Sequence, residues 1–109
     1  MIAPKPIVIV EGLLVLQDRE LRGLLDLKVF VDCPEELRLA RRLGRDTHER
    51  GRSRESVLAQ WERTVAPMHR RFVDPSKRHA DIVVLGRNRA DLRRAAKQVR
   101  ARLSLLGVE

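Results

Sequence analysis

Three stretches of the chain are almost uniformly apolar and rich in β-branched residues: positions 7–10 (Ile-Val-Ile-Val), 27–31 (Leu-Lys-Val-Phe-Val) and 82–85 (Ile-Val-Val-Leu). Runs without polar alternation predict strands covered on both faces, as in a parallel sheet flanked by helices. Helical patterns fill the gaps. Residues 18–25 carry Leu21, Leu24 and Leu25 at helical spacing. Asp32-Cys33-Pro34-Glu35-Glu36 reads as a helix start, with Pro34 at the first helical position and acids near the positive end of the dipole. That helix is expected to reach about His48 and stop before Gly51. A further helix is expected from about Ser53 to Val65, broken by Pro67, and Val73-Asp74-Pro75-Ser76 reads as a turn. A last helix, about Ala90 to Leu106, gathers Leu92, Ala95, Ala96, Val99, Leu103 and Leu106 on one stripe. The alternation predicts an α/β fold: three parallel strands flanked by helices in one domain spanning 1–109, without linker or repeat.

Composition narrows the function classes. The chain has 109 residues, 43% hydrophobic and 35% charged, which places it with globular rather than disordered sequences. Its apolar runs are too short to span a membrane, and no signal-peptide pattern opens it. A single cysteine, Cys33, excludes an internal disulfide and suits a reducing cytoplasm. The net charge of +8 invites a nucleic-acid reading, but only Phe30, Phe72 and Trp61 could stack on bases, so nucleic-acid binding is not the expected role.

The charge is concentrated. From Arg38 to Arg54 the chain carries Arg38, Arg41, Arg42, Arg45, Arg50, Arg52 and Arg54. On a helix, Arg38, Arg41, Arg42 and Arg45 fall within an arc of roughly 100°, with Leu37, Ala40 and Leu43 opposite. Such like charges repel unless an anion joins them, and guanidinium suits a phosphate. The alternative is a salt-bridged surface helix in which Glu35 pairs with Arg38 and Glu49 with Arg45. Arg50-Gly51-Arg52 extends the basic run into a glycine-containing turn, as in mobile hairpins that close over phosphates. Glu11 follows the first apolar run, a carboxylate at a strand's carboxyl end where α/β sheets collect ligands and where Mg²⁺ can be held. His48, His69, His79 and Cys33 have no metal-ligand spacing.

Together these residues resemble the C-terminal half of the uridine kinase (uridine-cytidine kinase) family of P-loop nucleoside kinases. The matching segments are Ile9-Val10-Glu11-Gly12-Leu13-Leu14, Leu21-Arg22, Asp26 to Asp32, and Arg41-Arg42 through Arg45-Asp46 to Glu49-Arg50-Gly51-Arg52-Ser53. Gln60, Pro67-Met68-His69, Pro75-Ser76-Lys77-Arg78 and Ala80-Asp81-Ile82 continue it, so that about residues 7–85 are covered in order. The resemblance implies ATP- (or GTP-) and Mg²⁺-dependent 5′-phosphorylation of uridine or cytidine, as in pyrimidine salvage, with an Arg-rich helical lid over about 38–66. It implies Glu11 as a Mg²⁺-associated acid, and Arg45 and Arg50 as catalytic arginines at the ATP phosphates. Arg42, Arg52 and Gln60 would contact the nucleoside, and Arg87 and Asn88 lie on the adenine-side loop.

Some positions depart from the pattern. Trp61 stands where the family usually has Tyr, and His79 where Tyr is common. No Gly-x-x-x-x-Gly-Lys-Ser/Thr loop occurs in these 109 residues. In the family sheet the P-loop strand sits between those matching residues 7–10 and 27–31, so the expectation is an incomplete site, inactive alone. The expected partner is an N-terminal kinase half or a second copy. A truncated product, a mis-called start at Met1 or one half of a split enzyme would each give this sequence. Another P-loop kinase of the phosphoribulokinase group, a basic nucleic-acid-binding module or a non-catalytic partner-binding module are the alternatives.

Overall fold

A computed structural model describes residues 7–107. Two strands pair in parallel, β1 (Val29–Asp32) and β2 (Ile82–Leu85), in the register Val29 with Ile82 through Asp32 with Leu85. The pairing is anchored at its start by Asp81, whose carboxylate accepts the Lys28 N–H at 2.8 Å while its own N–H donates to the Lys28 carbonyl. The α/β class and the parallel pairing match the sequence reading. The third strand does not form among the described residues. Residues 7–10 have no regular structure and lie exposed, Val8 at 81% and Ile9 at 84%. A strand needs an edge to pair with. In the sheet order that the resemblance implies, the neighbour of residues 7–10 would be the P-loop strand, and these 109 residues carry no Gly-x-x-x-x-Gly-Lys-Ser/Thr loop.

Helix α1 (Arg19–Leu24) is capped by Asp18, whose side chain accepts the Leu21 N–H at 3.0 Å. Helix α2 (Glu35–His48) begins after Pro34, which sits at the cap rather than inside the first turn. Residues 54–79 then form one helical run, α3, capped by Ser53. The sequence reading ended this helix at Val65 and placed a turn at Val73 to Ser76; both expectations are corrected. The run absorbs its prolines through wide turns at Trp61–Val65 and His69–Val73. Just before Pro67 the Ala66 N–H reaches back five residues to Trp61, and just before Pro75 the Asp74 N–H reaches His69. Shifting the bonding register in the preceding turn accommodates a residue that has no N–H and a bulky ring. Helix α4 (Arg89–Leu105) packs along β2.

The apolar interior is small. Leu16, Phe30 and Val73 form its centre, edged by Val15, Leu25 and Ala80, and Val57, Trp61 and Ala66 are buried elsewhere. The stripe expected on α4 is only partly covered, with Leu92 and Leu106 exposed. The radius of gyration is 16.7 Å, against roughly 13 Å for a compact domain of this length. The molecule is elongated, 58 × 30 × 21 Å.

Candidate functional site

The C-terminal end of α2, the turn after it and the start of α3 converge on one carboxylate. Asp46 has no exposed surface. Around it stand Arg45 (Nε to Oδ1, 3.3 Å), Arg50 (Nη1 to Oδ1, 3.7 Å), Arg52 (Nη1 to Oδ2, 3.3 Å) and Arg42 (Nε to Oδ2, 3.6 Å). Gly51, at φ +63°, turns the chain after α2 in a conformation that favours glycine. The Arg52 N–H then donates to the Asp46 carbonyl at 2.9 Å, which folds the turn back onto the helix end. Arg52 also donates to Gln60 Oε1 and to Ser56 Oγ on α3.

Five residues expected to act together, Arg42, Arg45, Arg50, Arg52 and Gln60, are thus gathered. They fall into two sets. Arg45 and Arg50 keep 46% and 60% of their side chains exposed, whereas Arg42 and Arg52 keep 26% and 31%. Burial opposes the charge on Asp46. The Arg45 hydrogen bond and the Arg42, Arg45 and Arg50 charges outweigh it, and the carboxyl sits below its ordinary pKa of 3.8. The cluster therefore carries one fixed negative and four positive charges. Arg42 Nε is buried with no hydrogen-bond partner.

The face proposed from helical geometry is divided by the structure. Arg38 lies over the Trp61 ring, 5.6 Å from its centroid, and donates to the Cys33 carbonyl. Arg41 donates to the Gly86 and Arg87 carbonyls, both at 2.9 Å. Ala40, expected on the covered side, is exposed. The surface pairs of the alternative reading give way to others: Glu35 meets Arg70 at 2.9 Å, and Arg45 meets Asp46.

The remaining candidates lie apart from the arginine cluster. Arg87 donates through its backbone and side chain to Asp91, whose N–H is capped by Asn88 Oδ1 at 2.9 Å. Both residues thereby hold the start of α4. Glu11 is exposed in the irregular segment after residues 7–10. Among the described residues no three acidic, His or Cys side chains gather as a metal site. Also among the described residues, no helix is long and apolar enough to cross a membrane. Asp46 is the residue that reasoning from the sequence missed. Its signal was present: it is the acid four residues after Arg42 and four before Arg50.

Residues 1–92 match the model of the phosphoribulokinase/uridine kinase family. The chain belongs to this family. Among its relatives, a protein named uridine kinase from a Geobacillus species is 52% identical over 83 residues, covering 76% of this chain and 39% of that protein. A uridine kinase from Halalkalibacterium halodurans is 43% identical over 103 residues, 93% of this chain and 49% of its own length. A uridine kinase from Bacillus subtilis is 51% identical over 83 residues, 76% of this chain and 39% of its own. The chain spans less than half the length of these relatives.

Proposed function

We propose that this chain supplies the arginine lid and part of the nucleoside site of a uridine kinase-type phosphotransferase, completed by a P-loop segment. The observation that carries the reading is the convergence of Arg42, Arg45, Arg50 and Arg52 on one buried carboxylate, with Gln60 tied to Arg52. Membership of the family and relatives named uridine kinase support the choice of uridine or cytidine as acceptor. ATP or GTP would supply the phosphoryl group, and Mg²⁺ would neutralise charge on its oxygens. Glu11 is the one acid of this chain assigned to that ion.

The chain's own residues would divide the work. Arg45 and Arg50, the more exposed pair, would present the guanidinium N–H groups not aimed at Asp46 to phosphate oxygens and offset the charge on the transferring group. Arg42 and Arg52, held more deeply, would orient the nucleoside, with the Gln60 amide N–H₂ left to donate to it. Closure of the segment over about 38–66 would exclude water from the transferring group.

The reading is tested by kinetics on this chain assembled with the P-loop half of a uridine kinase relative. Arg45→Ala should lower kcat by on the order of 10²-fold, since it removes charge stabilisation expressed in the transition state. Arg52→Ala should act mainly on the uridine KM. Wild-type kinetics from both variants would reduce the cluster to a solvated salt-bridged surface.

A further inference from the structure

The division of labour inferred for the arginines has a counterpart in the carboxylate between them. Both phosphate-side arginines, Arg45 and Arg50, approach Asp46 Oδ1; both nucleoside-side arginines, Arg42 and Arg52, approach Oδ2. One planar group thus fixes the two pairs relative to each other. Its backbone contributes as well, because the Asp46 carbonyl accepts the Arg52 N–H. Four guanidinium groups this close repel one another, and without an internal counter-charge they would spread toward water. Asp46 is fully buried and its ion-pair partners are all arginines, so substrate cannot reach it without displacing one.

We propose that Asp46 is a positioning residue: its two carboxylate oxygens hold the phosphate-side and nucleoside-side arginine pairs in register as a preassembled anion receptor. The proposal rests on the functional reading above for the identity of the anion. It makes a prediction opposite in sign to simple charge counting. Removing a negative charge raises the net positive charge of the cluster, which by itself strengthens anion binding. Removing the group that organises the arginines weakens it, because their ordering must then be met at the moment of binding.

The test is calorimetric titration of inorganic tripolyphosphate into the 109-residue chain, its Asp46→Asn variant and Glu49→Gln. The last makes the same charge change at an exposed neighbouring position. Glu49→Gln should bind as tightly as the parent or more tightly, and Asp46→Asn several-fold more weakly. Equal or tighter binding by Asp46→Asn would overturn the proposal.

A second measurement needs no variant at position 46. Phenylglyoxal modification of the unaltered chain, mapped by mass spectrometry, should label Arg42 and Arg52 at least about tenfold more slowly than the exposed Arg54 and Arg93. Equal rates would overturn the proposal. If the parent chain shows this protection but binds no tripolyphosphate, the phosphate reading fails and the positioning by Asp46 stands. Binding without protection has the reverse meaning.

Discussion

Asp46 and Asp91 are buried acids kept charged by arginine, whereas His69 and His79 are imidazoles pushed toward the neutral form. Burial chiefly lowers the pKa of His69, with Arg38 adding to it against Asp74, Glu35 and Asp32; burial, Arg22 and Arg78 lower that of His79. A histidine whose folded pKa lies below 6.5 binds fewer protons folded than unfolded. Its contribution is therefore intact above pH 6.5 and is lost as pH falls from there through the lower folded pKa. Asp46 and Asp91, both lowered from 3.8, keep their contribution above pH 3.8 and lose it toward their folded pKa values. Acidification should weaken the structure in two stages, one beginning near pH 6.5 and one below pH 3.8. Near-UV circular dichroism of Trp61, the single tryptophan, follows both in moderate urea. His69→Gln should shrink the first stage, and an unchanged profile would contradict the assignment. At this scale, the arginines were legible from the sequence because they are dense and repeat at helical spacing. Their centre was not, because a lone aspartate among arginines reads as one more surface charge until its burial is known.

Elements were legible where local chemistry decides them. The helix starts near Asp18 and Ser53, the approximate start of α2 at Pro34 and the bounds of β2 were read from local signals, whereas the Asn88 cap of α4 was not. Two expectations failed for reasons that no short window contains. Pro67 and Pro75 look like breakers, but the helical run widens by one residue just ahead of each. A proline inside a regular helix costs about 3 kcal/mol or more. Here the bond it would have made has already been shifted, so Pro67→Ala should stabilise the chain by less than about 1 kcal/mol, measured by urea denaturation. A gain near 3 kcal/mol would show that the ring strains the run. Residues 7–10 failed differently: their composition is that of a strand, but strand formation depends on a neighbour, and pairing is not a local property.

At the scale of the whole molecule, a two-stranded sheet with a small apolar centre leaves much apolar surface uncovered. Ile7, Val8, Ile9, Val10, Leu13, Val31 and Leu92 are all exposed, more uncovered apolar surface than a self-contained domain usually leaves. Strand pairs of this size are marginal without further cover. The isolated chain should therefore bind dyes that report apolar surface and associate with itself on sizing chromatography; a monodisperse monomer with a sharp thermal transition would contradict this. On the function proposed above, the chain contributes the arginines of a phosphoryl-transfer site, and the loop that cradles nucleotide phosphates would be supplied by another segment. UMP formation from uridine and ATP, measured on the purified chain, on a P-loop half from a uridine kinase relative, and on the two together, tests that claim most directly. The account predicts product from the mixture and none from either part. Turnover by the 109-residue chain alone, or a mixture no more active than its parts, would contradict it.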